Sequence, residues 1–342
     1  MATIRDIAEA SGVPPTTVSR YLNGRIKVRD ETRRRIDEAV QELDYRPNYL
    51  ARSLVLKETK TLGVVIPDIL NPFFAGFARG TEDEAWESGL SVILCNSDNR
   101  RDKEQAYLKW LEYKQVDGIV LVSTGLSSGH LQEILARGIR MLVAGRRIDG
   151  LAADRLVIDN LKGARELTRH LLGLGHTRIA VIKVAGHVST THERVKGYEQ
   201  ALAEAGQEAA VAPRATAREF RYEDGYAAME ELLSRRRGSG REAFTAVFAL
   251  NDLMAIGAVN AIQSQGLTVP DDIAVVGFDG LRWGTWIRPR LTTYSVSPYN
   301  YGRRSCRMLL RRIGASGENS SYVEEAIRGK LIVRESCGAK RG

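Results

Sequence analysis

The sequence predicts a short all-α segment followed by a larger α/β region built on two doubly wound parallel sheets. Apolar residues recur at helical spacing within residues 1–46, whereas short apolar runs alternate with helical stretches from residue 61 onward. These runs form two series: "TLGVVIPD", "LSVILCN", "DGIVLVS", "RMLVAG" and "DRLVID", then "TRIAVIKV", "FTAVFAL" and "DIAVVGFD". Near-continuous apolar strands separated by helices indicate parallel sheets that are covered on both faces. A span of about 280 residues with so many strands suits two lobes better than one.

The first 46 residues are expected to form three short helices. Thr3 and Asp6 resemble a capping box that opens the first helix. Pro14 and Pro15 favour the start of the second, because proline supplies a helix-compatible φ angle and lacks only an N–H that a first turn leaves unbonded. The dipeptide "NG" at residues 23–24 should end this helix, since both residues tolerate the left-handed conformation. The turn "ASGVPP" gives the spacing that is typical of a helix-turn-helix.

Positive charge is concentrated around the second and third helices. Residues 16–35 contain seven Lys or Arg against two acids, Asp30 and Glu31, which leaves an excess of five positive charges. Together with a net charge of +8, this excess permits a nucleic-acid partner without requiring one. A solvated helix surface is the alternative interpretation of the charge run.

Residues 47–60 are predicted to be a linker with a short helix. Pro47 should stop the third helix, and Asn48 is a suitable N-cap for one or two further helical turns. The stretch is polar and lacks a large apolar face, so we expect it to fold only in context.

Composition and motifs favour binding over catalysis. The three cysteines match no ligand spacing or disulfide framework, so reduced thiols in a cytoplasmic protein are expected. The sequence shows no signal peptide and no apolar run near the roughly 20 residues that a membrane span needs. The motifs G-x-G-x-x-G, the phosphate loop, H-E-x-x-H and G-x-S-x-G are missing, and the five histidines form no metal-like set. We therefore expect no enzymatic activity, no cofactor and no metal.

Aromatic and polar residues follow several of the predicted strands. In parallel sheets, ligands bind outside the carboxyl ends of the strands. The residues at these positions are Phe73, Phe74, Arg146, Asp159, Asn160, Arg194, Phe220, Asn251 and Asp279. Aromatic faces combined with Arg, Asn and Asp suit a polyhydroxyl ligand, by stacking and by hydrogen bonds to hydroxyls. Taken singly, the phenylalanines could equally be core residues and Asp279 a helix cap.

The chain resembles the LacI/GalR family of transcription regulators over essentially its whole length. The matching runs occur in the family's order: "ATIRDIAEASGV", "TTVSRYLNG", "YRPNYLARSL", "GVVIPDILNPFF", "VDGIVLV", "LLGLGHTRIAVI", "ERVKGYEQAL", "NDLMAIGA", "VPDDIAVVGFD" and "PRLTTYSV". The resemblance implies a helix-turn-helix headpiece at residues 1–46 and a hinge helix with linker at 47–60. It also implies a periplasmic-binding-protein-like region, with one lobe at 61–160 plus 292–322 and the other at 161–291 plus 323–342.

The resemblance assigns roles on DNA to individual residues. Pro15, Thr16 and Arg20 match base-reading positions of the recognition helix, where Arg20 can bond guanine O6 and N7. Leu54 matches a leucine that wedges between base pairs in the minor groove, with Ala51 and Arg52 along that groove. The remaining residues assigned to phosphate contact or to support of the motif are Thr3, Thr17, Asn23, Thr32, Tyr45 and Asn48. Pro14 and Arg29 replace serines that are frequent in the family, which leaves the operator sequence open.

The two lobes resemble periplasmic sugar-binding proteins with an effector in the cleft. The pocket positions carry over to Phe74, Thr124, Arg146, Asp159, Thr190, Arg194, Phe220, Asn251 and Asp279. The implied effector is a sugar, a sugar acid or a sugar phosphate. A homodimer on double-stranded operator DNA is expected, with contacts through helix 73–88 and through segments 252–262 and 281–286.

The predicted function is a dimeric, effector-controlled repressor of carbohydrate-utilisation genes. Two alternatives use the same two-lobed scaffold: a cytoplasmic solute-binding protein with partner-binding helices, and a sugar-modifying enzyme. Neither alternative needs "TTVSR" and "LARSL", and so these motifs favour the regulator.

Overall fold

The computed structural model describes residues 2–45, 58–123, 125, 127–148, 150–185, 189–207, 212–236, 244–314 and 321–339. The chain divides into two compact units, residues 1–59 and 60–342. Most of the predicted hinge helix and linker at 47–60 lies outside the described residues.

Within residues 2–45, the first unit contains three helices: α1 (Ile4–Ser11), α2 (Pro15–Leu22) and α3 (Asp30–Glu42). The capping box is confirmed, because the Thr3 backbone N–H donates to Asp6 Oδ2 over 2.7 Å and the Asp6 N–H donates to Thr3 Oγ1. Helix α2 begins at the second proline and ends before "NG", as predicted. Ile7, Val18 and Ile36 place one fully buried side chain from each helix in a small shared core.

The second unit alternates strands and helices, as the apolar runs predict. Its first part contains β1 (Thr61–Ile66), α4 (Pro72–Glu87), β2 (Ser91–Asn96), α5 (Arg101–Tyr113), β3 (Gly118–Val122), α6 (Ser128–Ala136), β4 (Arg140–Ala144) and β5 (Asp154–Ile158). Next come α7 (Asn160–Gly173), β6 (Ile179–Val184), α8 (Ser189–Glu204), β7 (Arg214–Ala217), α9 (Tyr222–Arg236), β8 (Ala246–Ala249), α10 (Asp252–Ser264), β9 (Ala274–Asp279) and β10 (Thr292–Ser295). The last elements are α11 (Pro298–Gly314), β11 (Glu324–Ile327) and β12 (Lys330–Ile332).

Two six-stranded sheets define two lobes. The first sheet has the order β11-β5-β4-β3-β1-β2 and the second has the order β12-β10-β9-β8-β6-β7. Every strand pair is parallel except β10 with β12. The strands of the sheet centres are fully apolar and buried, which confirms the prediction of sheets covered on both faces.

The chain passes between the lobes three times, and two of these crossings differ from the expected boundaries. Residues 292–295 were assigned to the first lobe, but Thr292 aligns with Val276 of β9 in the second sheet. Residues 323–342 were assigned to the second lobe, but Glu324 aligns with Arg155 of β5 in the first sheet. These boundaries were wrong because β10 and β11 are only four residues long, and because β11 pairs with β5, which is distant in sequence.

Close packing of α4 against α11 forms the side of the first lobe that faces the cleft. A Cβ atom at Gly302 would lie 2.0 Å from the carbonyl oxygen of Phe77, so glycine allows the two helix backbones to approach. Tyr301 is buried between these helices and donates to the Leu156 carbonyl over 2.7 Å. This contact fixes α11 to β5 directly behind the site described below.

Candidate functional site

The exposed face of α2 carries the residues that the sequence assigns to base reading. Pro15, Thr16 and Arg20 are all exposed, while Val18 on the opposite face is fully buried. The Arg20 side chain makes no hydrogen bond or ion pair within the described part of the chain. A helix that packs by one face and presents hydroxyls and a guanidinium on the other suits insertion into a DNA groove.

The other assigned headpiece residues are held within the unit. Thr3 takes part in the capping box, and Asn23 donates its side-chain N–H to the Ser19 carbonyl over 2.7 Å. Tyr45 is half-buried and packs against the headpiece core. Thr17 and Thr32 are half-buried as well. Asn48, Ala51, Arg52 and Leu54 lie outside the described residues.

A cavity of about 300 Å³ lies between the two lobes of the second unit, at the carboxyl ends of both sheets. Seven of the nine residues assigned to the effector line it: Phe74, Arg146, Thr190, Arg194, Phe220, Asn251 and Asp279. Thr124 lies outside the described residues.

Arg194 of α8 is the most constrained polar residue of the cavity. Its Nε donates to Asn160 Oδ1 over 2.9 Å, its Nη1 donates to the Leu250 carbonyl, and its Nη2 lies 3.3 Å from Asp279 Oδ1. The guanidinium stacks on the Phe278 ring, with 3.8 Å between its carbon and the ring centroid. Burial lowers the pKa of Arg194, while the neighbouring Asp279 carboxylate opposes that shift. This arginine is therefore oriented before any ligand arrives.

Two carboxyl groups lie behind and beside that arginine. Asp252 accepts from the Thr293 hydroxyl and from the Leu281 N–H, each over 2.6 Å. Burial raises the pKa of Asp252 to about 8, and the charge of Asp279 adds to the shift. Burial likewise raises the pKa of Asp279 to about 6, against the opposing effect of Arg194. The second-lobe wall thus has two buried acids for one arginine.

The first-lobe wall contains a looser chain of polar groups. Arg146 Nη2 donates to Ser123 Oγ over 3.0 Å, and Ser123 Oγ donates to Glu104 Oε1 over 2.9 Å. Glu104 is fully buried, whereas Arg146 is only partly buried. Burial lowers the pKa of Arg146, while the charge of Glu104 raises it. Glu104 is thus the internal counter-charge of Arg146.

Aromatic rings face the cavity from both lobes. Phe74 comes from the start of α4 and stands edge-on to Phe73, with ring centroids 5.4 Å apart. Phe220 lies in the second lobe, where its carbonyl accepts from Asn251 Nδ2 over 3.2 Å. Asn251 also caps α10, because its Oδ1 accepts from the Met254 N–H. The amide of Asn251 therefore organises the wall rather than pointing freely at a ligand.

One assigned residue does not line the cavity. Asp159 caps α7, and its Oδ1 accepts from the Lys162 N–H over 3.2 Å. Its neighbour Asn160 is buried and bonds Arg194 instead. In this structure the Asp159 carboxylate serves as the helix cap, and its assignment to the effector stays a prediction.

Several cavity residues were absent from the assigned set. Ser123 directly follows strand β3, and Asp68 comes after β1 and Pro67, so the rule of polar residues after strands could have found them. Glu104 accepts from Ser123 without lining the cavity itself, and it lies on α5, where no local pattern distinguishes it from a solvated acid. The others lining the cavity include Asn71, Asn99, Arg218, Glu219, Arg221 and Tyr301.

The described residues contain no cluster of His, Cys, Asp or Glu that could hold a metal ion. Within the same ranges, no helix is both long and apolar enough to traverse a lipid bilayer.

Fold and site together define a two-lobed binding protein with a helix-turn-helix unit. Residues 3–48 match the family described as bacterial regulatory proteins, lacI family, and residues 59–331 match the periplasmic binding proteins and sugar binding domain of the LacI family. Catabolite control protein A of Priestia megaterium is 35% identical over 94% of this chain and 96% of its own length. The chain therefore belongs to the LacI family.

Two solved structures are also similar over most of the chain. The complex of the transcriptional regulator CelR with cellobiose is 30% identical, covers 98% of this chain and 100% of that one, and superposes with a TM-score of 0.71. A LacI-family regulator from Enterococcus faecium with bound ribose is 29% identical, covers 81% and 98% respectively, and has a TM-score of 0.73.

Proposed function

We propose that this protein is a sequence-specific DNA-binding regulator, most simply a repressor of carbohydrate-utilisation genes, that responds to a sugar-like effector in the cleft. The observation that carries the proposal is the exposed surface of α2, where Thr16 and Arg20 are free to meet base edges. Related proteins support it, since one is named a ribose operon repressor and another was solved with cellobiose. Such a regulator acts in the cytoplasm, by binding rather than by catalysis.

A homodimer on a palindromic operator is part of this proposal. Large apolar side chains are exposed on both lobes: Leu70 and Trp86 beside or within α4, and Trp283 and Trp286 after β9. Segment 252–262 offers less exposed apolar surface for a dimer contact, because nearly all of this helix is buried within one chain. We therefore place the dimer contact on α4 and on residues 281–286, where large apolar side chains are unusually exposed.

Effector binding would control the operator through closure of the two lobes. Arg147 follows β4 in the first lobe and pairs with Glu193 of α8 in the second, with 2.9 Å between Nη1 and Oε1. Arg221 and Asp68 approach across the mouth of the cleft, with 3.7 Å between Nη2 and Oδ2. A ligand that binds one arrangement of these pairs more tightly shifts the population of lobe positions.

The test is selection of bound duplexes from a random pool at moderate salt, followed by sequencing. A palindrome with a flexible step at its centre would support a dimeric regulator. Binding without sequence preference that disappears as salt rises would reduce the interaction to nonspecific attraction and favour the solute-binding alternative. The selected duplex then serves to screen sugars for release.

The geometry gives less support to an enzyme on the same scaffold. An enzyme would need a general base in the cleft, and the two aspartates assigned to the cleft from the sequence are Asp159 and Asp279. The first caps α7 and the second is engaged by Arg194.

A further inference from the structure

A second cavity, of about 390 Å³, lies in the second lobe beside the end of β6 and the start of α8, and we call it the α8 cavity. Among the described residues it shares only Val184 and Ala185 with the cleft. Successive residues of a helix point about 100° apart, so Thr190 and Arg194 line the cleft while His192 lines the α8 cavity on another face. The other described residues that line the α8 cavity are Lys183, Ser189, Thr191, Val195 and Thr216.

Two hydroxyl groups at the start of α8 have no hydrogen-bond partner among the described residues. They are Ser189 Oγ and Thr191 Oγ1, and both atoms are buried. Thr191 as a whole is only 5% exposed. A buried hydroxyl without a partner costs free energy, so native proteins rarely leave one unsatisfied. Because both residues line the α8 cavity, a ligand there that accepts hydrogen bonds would supply the missing partners.

The same turn is the N-terminal end of a long helix. Helix α8 runs for 16 residues, from Ser189 to Glu204. The first N–H groups of a helix have no partner within it, and the aligned peptide dipoles place partial positive charge at that end. Both effects favour an anion. An anion at this end of α8 would therefore meet the helix terminus and the two unpartnered hydroxyls together.

A lysine lines the α8 cavity from the sheet. Lys183 of β6 aligns with Thr216 of β7, so the two side chains lie on the same face of the sheet. Within the described ranges Lys183 has no ion-pair partner, and no Asp or Glu lines the α8 cavity. The first acid of α8, Glu193, is engaged elsewhere, since it pairs with Arg147 and accepts from Asn160 Nδ2 over 2.9 Å. The charge of the α8 cavity is therefore positive.

From these groups we infer that the α8 cavity binds a compact oxyanion of the phosphate type, either inorganic phosphate or the phosphoryl group of a small metabolite. Phosphate oxygens accept several hydrogen bonds at once, so one anion can use the hydroxyls of Ser189 and Thr191 together with the ammonium group of Lys183. At the exposed side of the cavity, His192 and Thr216 supply further donors. Neither operator DNA nor a ligand in the cleft takes part in this binding.

The experiment titrates the full chain, without DNA, with inorganic phosphate, glycerol 3-phosphate and acetate at constant ionic strength. Broadening of the ³¹P resonances measures binding of the first two, and displacement of phosphate measures binding of acetate. We expect acetate to bind about tenfold more weakly than phosphate, because a planar monoanion reaches fewer of these donors. Tighter binding of glycerol 3-phosphate than of phosphate would identify a phosphorylated metabolite as the ligand, and equal binding would identify the free anion. Acetate binding as tight as that of phosphate, or no phosphate binding by the native chain, would overturn the inference.

Variants locate the bound phosphate on the protein. Lys183→Met removes the charge and keeps most of the side-chain volume, so phosphate affinity should fall about tenfold or more. Thr191→Val keeps the shape and removes the hydroxyl, and it should cost about threefold or more. Lys196→Met is the matched control, because Lys196 is exposed on α8 and does not line the cavity; it should change the affinity by less than about twofold. Undiminished phosphate binding in folded Lys183→Met and Thr191→Val chains would place the anion elsewhere and refute the inference.

Thermal unfolding of Thr191→Val gives a second readout, which decides the question alone should Lys183→Met fail to fold. In phosphate-free buffer this variant should melt at a higher temperature than the native chain, because it no longer buries an unpartnered hydroxyl. Added phosphate should raise the melting temperature of the native chain and raise that of the variant less. A variant that melts at a lower temperature without phosphate and responds to phosphate as the native chain does would contradict the inference, since its hydroxyl would then serve the fold and not a ligand.

Discussion

Arg20 on the headpiece and Arg194 in the cleft are held in opposite ways. The Arg20 guanidinium is exposed and makes no hydrogen bond or ion pair among the described residues, whereas all three nitrogens of Arg194 are engaged and its plane lies on an aromatic ring. Arg146 is intermediate, with a bond to Ser123 and a buried counter-charge. The comparison concerns the orientation of arginine side chains before binding. On the surface for a polyanion, Arg20 has no hydrogen-bond or ion-pair partner among the described residues, whereas the arginines of the small-ligand pocket are already oriented by other side chains.

Replacement of the fully bonded arginine should have the largest effect. Arg194→Ala leaves the Asp279 carboxylate buried without its cation, so we expect the free energy of unfolding of the second unit to fall by about 3–5 kcal/mol. Effector response should be lost while specific operator binding survives below the melting temperature. Urea unfolding measures the first effect, with Arg218→Ala as an exposed control. A loss below about 1 kcal/mol would show that the contacts of Arg194 contribute no more to stability than exposed ion pairs do.

The acids beside Arg194 should make stability depend on pH. Asp252 has a pKa of about 8 in the folded chain and near 3.8 when unfolded, so the native state retains a proton that the unfolded chain releases between these values. Stability should therefore fall as pH rises from about 4 to about 8, by at most about 1.4 kcal/mol per pH unit for this group. Asp252→Asn should flatten the slope in thermal unfolding across that range. An unchanged slope would show that Asp252 is ionised throughout.

Replacement of Arg20 should weaken sequence-specific DNA binding and leave the free energy of unfolding unchanged. Arg20→Ala is expected to cost about 1–3 kcal/mol at one position of each half-site and to relax base preference there. Competition binding on operators substituted at single positions checks this. Equal weakening on every sequence would instead identify Arg20 as a phosphate contact, and a large drop in melting temperature would break the contrast with Arg194.

The smallest effect is expected for Arg146, which is hydrogen-bonded to Ser123 and has a buried counter-charge. Arg146→Lys keeps the counter-charge of Glu104 but loses the planar geometry of the guanidinium, so effector affinity should fall about tenfold with a stability change below about 1 kcal/mol. Calorimetric titration of the sugar that releases the selected duplex measures this loss. Unaltered affinity would mean that Arg146 serves only to neutralise Glu104.

Much of the fold was predictable because local patterns encode it. The double proline and the following "NG" set both ends of α2, and the helix expected at 73–88 begins and ends one residue earlier in the structure. The eight apolar runs all became strands. The four strands that were not predicted, β7, β10, β11 and β12, are three or four residues long and carry little periodic signal.

The sequence by itself determined which side chains reach the carboxyl ends of the strands, because strand direction and the βα order follow from near neighbours along the chain. Only the tertiary structure decided what each of them bonds. Asp159 and Asn160 are adjacent in sequence, yet one caps a helix and the other orients Arg194. Arg194 meets Asp279, which lies 85 residues away, and Ser123 meets Glu104 on a different element. Such pairs form only when the two sheets and their covering helices pack, and this packing brings Arg194 to Asp279 and Ser123 to Glu104.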